Sequence, residues 1–146
     1  MPAAAKLENL LHSEIPLSQA MGIRVASYDG RCLRLAAPLA PNINHKLTAF
    51  GGSLYSLAVL CGWGLLHLKL AEAGLHRHIV IQESSIRYLR PVNGKMLAEC
   101  CADEAELSRF FQVLEKHGRA RIALDAVIQY EGQAAVEFSG RYVVHG

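Results

Sequence analysis

One apolar stretch decides what this chain can become. Leu54, Tyr55, Leu57, Ala58, Val59, Leu60, Trp63, Leu65 and Leu66 succeed one another with no charged residue among them. Apolar side chains fall on nearly every face of a helix built from this run, so the helix must be enclosed on all sides. The uninterrupted part ends before His67 and Lys69. That is short of the roughly 20 residues a bilayer span requires. Gly51 and Gly52 precede the run. Two glycines let the backbone turn sharply and let a ligand come close. The first turn of a helix carries amide hydrogens without internal partners. A buried helix that starts at such a turn offers a place for partial negative charge. A plain turn is the alternative.

The rest of the chain supplies the enclosure. With 146 residues, 51% hydrophobic and 19% charged, it has the size and core of one domain spanning 1–146. Residues 1–16 form a helical lead-in, with Leu7, Leu10 and Leu11 on one face and Pro16 as its stop. Alternation predicts strands over 23–28 and 31–36, joined at Asp29-Gly30. The long helix is expected over 52–73, about 30 Å at 1.5 Å per residue. Its internal Gly62 and Gly64 mark close packing, and Gly74 its C-cap. Strands follow over 78–89, 95–101, 119–130 and 133–144, with a helix over 103–117 ended by Gly118. An antiparallel sheet covers one side of so long an apolar helix, so a symmetric dimer is expected to complete the core.

Composition excludes several classes. A net charge of +2 with interspersed signs and 7% aromatic residues does not make a nucleic-acid surface. Met1 to Lys6 lacks a secretory signal pattern, so the cytoplasm is the expected location. Cys32, Cys61, Cys100 and Cys101 show no CxxC spacing and are expected to be reduced core residues. No metal site is expected, His76 and His78 included. No Gly-x-Ser-x-Gly elbow, Walker loop or dinucleotide glycine motif is present.

Two motifs in order around the long helix carry a resemblance. The segment Asn44-His45-Lys46-Leu47-Thr48-Ala49-Phe50-Gly51-Gly52 resembles the active-site segment of hotdog-fold thioesterases of the phenylacetyl-CoA type, Asn-x-x-Gly-x-x-His-Gly-Gly. Tyr88-Leu89-Arg90-Pro91 resembles the strand end of that family. The run from Thr48 to Ala58 is closer still to the domain at the C-terminus of YiiD-type acetyltransferases. The resemblance covers about residues 17–145. It implies an α+β hotdog fold, a long central helix wrapped by a five- to six-stranded antiparallel sheet. It also implies a thioester hydrolase acting on acyl-CoA or acyl-carrier-protein substrates at a homodimer interface, or in a dimer of dimers. Coenzyme A enters as part of the substrate and no other cofactor is implied; nor is a nucleic-acid or membrane partner. Phe50 stands where the family has His, Leu47 where it has Gly, and Val59 where it has its catalytic Asp.

Hydrolysis of a thioester needs donors for the oxyanion and a group that activates water. The expected catalytic set is the Gly52 amide as donor, Asn44 on the carbonyl or a water, Glu83 as replacement base and Ser84 as water holder. Asn44 could instead close its own loop, and Glu83 could be exposed or paired with Arg87 or Lys95. Phe50, Gly51, Ser53, Tyr55, Ser56 and Val59 are expected to line the substrate site. Arg87, Arg90 and Lys95 suit phosphates or an acidic carrier; solvated surface is their alternative. With Val59 and Phe50 replacing polar groups, a non-hydrolytic acyl-thioester-binding module is the competing function, and a scaffold without ligand a third.

Overall fold

In the computed structural model, which describes residues 1–146, the expected elements form with ends shifted by one or two residues. Helices α1 (Ala3–Glu14) and α2 (Pro16–Ala20) lead into strands β1 (Arg24–Tyr28) and β2 (Cys32–Ala37). A 3-10 turn at Ala40–Asn42 precedes helix α3 (Gly51–Glu72). Strands β3 (His78–Tyr88) and β4 (Met96–Cys101), helix α4 (Glu104–His117) and strands β5 (Arg119–Tyr130) and β6 (Gln133–His145) complete the chain. Each paired strand runs antiparallel, in a six-stranded sheet of order β1-β2-β4-β5-β6-β3.

Helix α3 lies in the concave face of this sheet. By length and composition it could cross a membrane, with a mean hydropathy of 1.4 over 18 residues, yet 61% of that stretch is buried inside the protein. The inward residues of the sheet alternate as the strand period demands: Ala120, Ile122, Leu124, Ala126 and Ile128 are buried while their neighbours on β5 are largely exposed. The two helical glycines let the layers close. A Cβ on Gly62 would stand 2.7 Å from Tyr142 Cζ, and one on Gly64 2.9 Å from Leu33 Cδ2. Leu7 of α1 touches the same Gly64 position at 3.2 Å, so the lead-in helix seals the β1 side. Glu8 accepts from the Val25 amide at 2.9 Å, covering part of the β1 edge.

The other edge is different. Strand β3 pairs only with β6, leaving an 11-residue strand with one open side. Such an edge is a template for another strand.

One expectation is corrected here. Cys32 and Cys101 are not reduced: they are register partners on β2 and β4 and form a disulfide across a sequence separation of 69. The fold brings together two residues whose spacing in sequence says nothing of it. Cys61 and Cys100 are free and buried. Desolvation pushes the Cys100 thiol up to about 12, and raises Cys61 as well, so both stay protonated.

Candidate active site

The loop before α3 is built by its asparagines. Asn42, buried, donates from Nδ2 to Met21 O at 2.9 Å and Pro38 O at 2.8 Å, while its own carbonyl accepts from the Phe50 amide at 2.7 Å. Asn44 works entirely within the loop. Its Oδ1 accepts from the amides of Lys46 at 2.8 Å and Thr48 at 3.1 Å, and its Nδ2 donates to Thr48 Oγ1 at 2.9 Å. This is the loop-closing turn. It holds Leu47 at φ 64°, a side-chain-bearing residue that the turn forces into the left-handed region.

Helix α3 then begins without a side-chain cap. The Leu54 amide donates to Phe50 O at 3.0 Å, while the amides of Gly51, Gly52 and Ser53 have no acceptor in the protein. All three residues are half-buried. Phe50 folds its ring over Gly52, whose absent Cβ would lie 3.0 Å from Phe50 Cζ. Tyr88, at the end of β3, donates to Gly51 O at 2.9 Å and lays its ring beside the same peptide. Burial raises the Tyr88 pKa, with Tyr55 adding to the shift, so its hydroxyl remains a donor at neutral pH.

One turn further along α3, Tyr55 Oη and Ser84 Oγ lie 2.5 Å apart, with the Tyr55 ring edge-on to Phe138 at 5.8 Å. The Ser56 hydroxyl is taken by Gly52 O at 2.9 Å. Val59 is half-buried, and its carbonyl accepts from Tyr142 Oη at 2.6 Å.

The structure thus gathers Phe50, Gly51, Gly52, Ser53, Tyr55 and Ser84 about the head of α3, with Asn44 supporting the loop from behind. Tyr88 joins them; in the sequence it stands out only as part of a strand-end motif. Glu83 does not join them. Since Ser84 points inward to Tyr55, the preceding residue faces the other way, where Glu83 pairs with Arg141 of β6 and its side chain is 70% exposed. As a base in this chain's own site it is misplaced. Arg87 reaches Glu137 at 3.7 Å, whereas Arg90 and Lys95 make no ion pair. Cys32, Glu99 and Cys101 place ligand-type atoms within 4.8 Å of one another. The sulfurs are bonded to each other and Glu99 pairs with Arg34 at 2.5 Å, so none is a free metal donor.

Comparison with known proteins agrees with this architecture. Residues 4–146 match the family model described as "Putative thioesterase (yiiD_Cterm)". A protein of unknown function from Chlorobaculum tepidum TLS superposes with a TM-score of 0.93 at 42% identity, over 97% of this chain and 93% of that one. A "putative thioesterase" from Shewanella oneidensis gives 0.91 at 32% identity, over 99% and 98%. A thioesterase from Haemophilus influenzae, 15% identical with a TM-score of 0.75 over 99% and 91%, shares the fold, which is the hotdog fold.

Proposed function

Because the chain belongs to the YiiD_C thioesterase family, we propose that it hydrolyses acyl thioesters carried on coenzyme A or an acyl carrier protein, at the head of α3. The observation that carries this reading is the set of three unpartnered amides at Gly51, Gly52 and Ser53 on a half-buried helix start. The substrate carbonyl accepts from Gly52 and Ser53 N–H. Water attacks its carbon, the oxyanion is held by the same amides, and collapse expels the thiolate, which takes up the proton that water gives up. Oxyanion donors of this kind are worth about 10²–10³ in rate each. The Tyr55–Ser84 hydroxyl pair holds the water, and Tyr88 fixes the Gly51 peptide so that the next amide points outward. Arg90, without an acidic partner, suits the anionic carrier. The open β3 edge, beside this site, suits a second copy of the chain. The reaction consumes only water and needs no resident cofactor.

A panel of short, medium and aromatic acyl-CoAs, with thiol release followed by absorbance, tests the proposal. Ser53→Pro removes one donor in the first turn of α3, where the amide makes no intrahelical bond to lose, so kcat should fall by about 10² in a folded protein. Glu83→Gln should leave turnover unchanged. A folded sample that turns over no thioester would remove the hydrolase reading.

One observation favours a second reading. The groups gathered at the α3 head are hydroxyls, amides and apolar rings, with no carboxylate among them, and Val59 stands where hotdog thioesterases of the phenylacetyl-CoA type have their catalytic Asp. A binding module that holds thioesters without cleaving them would show saturable acyl-CoA binding and return the ligand intact.

A further inference from the structure

Away from the head of α3, a groove of about 730 Å³ lies beside β1, walled by Gly22, Val25, Ala26 and Ala36 on one side and Pro38 and Leu39 on the other. This volume is in the range of small-molecule sites, roughly 300–1,000 Å³. None of its lining residues belongs to the α3 head.

Local sequence explains the groove. The β1–β2 register shifts between Val25 and Ser27, and the extra residue at Ala26 bends the strand. Small side chains at Ala26 and Ala36 leave the space unfilled. Gly22 adopts φ +73°, and a Cβ there would stand 3.0 Å from Pro38, so the two walls meet closely at that end. Asn42 ties them together, since one Nδ2 bridges Met21 O and Pro38 O. The groove is therefore formed before any ligand arrives.

Two cations line this mostly apolar groove, Lys95 and Arg24. Lys95 makes no ion pair. Arg24 gives only its Nε to Glu8, at 3.2 Å, leaving both terminal nitrogens free. Glu8 is the one carboxylate paired at this rim; Glu99, on the neighbouring strand, is taken by Arg34. An apolar trough with surplus positive charge is complementary to one kind of molecule. We propose that the groove is a second binding site, for an amphiphile with an anionic head, such as a medium-chain carboxylate: its chain lies along Val25, Ala26, Ala36 and Leu39, and its head meets Lys95 and Arg24. This site is independent of thioester hydrolysis.

Titration of the full chain with dodecanoate, by calorimetry or by shifts in backbone amide resonances, tests it. Saturable binding is expected, with perturbed amides at Val25, Ala26 and Leu39. Ala26→Phe places a ring in the trough from an exposed bulge position and should weaken binding about tenfold, near 1.4 kcal/mol. Lys95→Gln should weaken it about twofold to fivefold, as the loss of one exposed charge pair does. Dodecanol should bind more weakly than the acid by a similar factor, and inorganic phosphate, which lacks the chain, should not saturate. The proposal is overturned if dodecanoate binding is indifferent to both variants. It is equally overturned if perturbed amides cluster at Gly51–Ser53, or if Ala26→Phe dissociates an oligomer, which would make the groove an interface between copies.

Discussion

Gly62 stands where helix propensity argues most directly against tertiary packing. Gly→Ala inside a helix ordinarily stabilises by about 0.8–1 kcal/mol. Here the methyl would lie 2.7 Å from Tyr142 Cζ and 2.9 Å from Cε1, and would meet the hydroxyl itself. Tyr142 is wholly buried, so its ring has no room to swing away. Overpacking of this kind costs about 1–3 kcal/mol. Displacing the hydroxyl also breaks its 2.6 Å bond to Val59 O. A buried hydroxyl left without a partner costs about 1–3 kcal/mol more. After the propensity gain, Gly62→Ala should destabilise by about 1–5 kcal/mol. Tyr142→Phe alone forgoes one hydrogen bond, about 1 kcal/mol. In the Tyr142→Phe background the hydroxyl part of the penalty is gone, while the ring carbons still crowd the methyl. The cost of Gly62→Ala should fall there by at least about 1 kcal/mol. Urea unfolding at fixed protein concentration, followed by the fluorescence of the single tryptophan, Trp63, next to Gly62 on α3, measures all four corners of the cycle. A stabilised Gly62→Ala, or two single effects that add to within about 0.5 kcal/mol, would refute the account of how α3 meets β6.

Other perturbations follow from the same contacts. Asn44→Ala removes the acceptor of two loop amides, so the loop should loosen at a cost of about 1 kcal/mol, read by hydrogen exchange at Lys46 and Thr48. Turnover should fall with it, because Phe50 and Gly51 are carried on that loop. Burial, with His76 nearby, lowers the His67 pKa in the fold. The unfolded chain then takes up a proton that the folded one refuses. Stability should therefore be lost as pH falls below about 6.5, the ordinary histidine value, and His67→Gln should flatten that slope in a melting series. Reduction of Cys32–Cys101 opens a link across 69 residues, a loss of about 4 kcal/mol if chain entropy governs. Thiol counting should find no reactive group on the native oxidised protein, two after denaturation and four after reduction.

The fold was legible because its signals are local and repeated. The 51–72 run could be nothing but an enclosed helix, Asp29-Gly30 marks a turn the chain makes, and Gly118 ends α4 as a left-handed stop. What sequence reading missed depends on contacts between distant elements. Glu83 sits in an apolar strand and could equally face in or out; only the Tyr55–Ser84 bond fixes the phase and sends Glu83 to Arg141. The disulfide required knowing that β2 pairs with β4 in a register that opposes Cys32 to Cys101. Tyr88 at the α3 head required the end of β3 to return to Gly51.

That return also bears on what the site can do. Tyr88 and Ser84 both come from β3, the strand with an open side, and both touch α3 where its amides are unpartnered. Any strand added at that edge would lie against the backbone that carries these two hydroxyls, and would bring its own side chains close to them. The chemistry missing from the single chain is a group that accepts a proton from water, since tyrosine and serine hydroxyls at neutral pH do not. If hydrolysis is measured, that group must come from a neighbouring chain at the β3 edge or from the thiolate leaving group itself. The two differ in a measurable way: a base on a second copy makes specific activity fall on dilution below the dimer dissociation constant, whereas a leaving-group base makes the rate follow thiol pKa at any protein concentration.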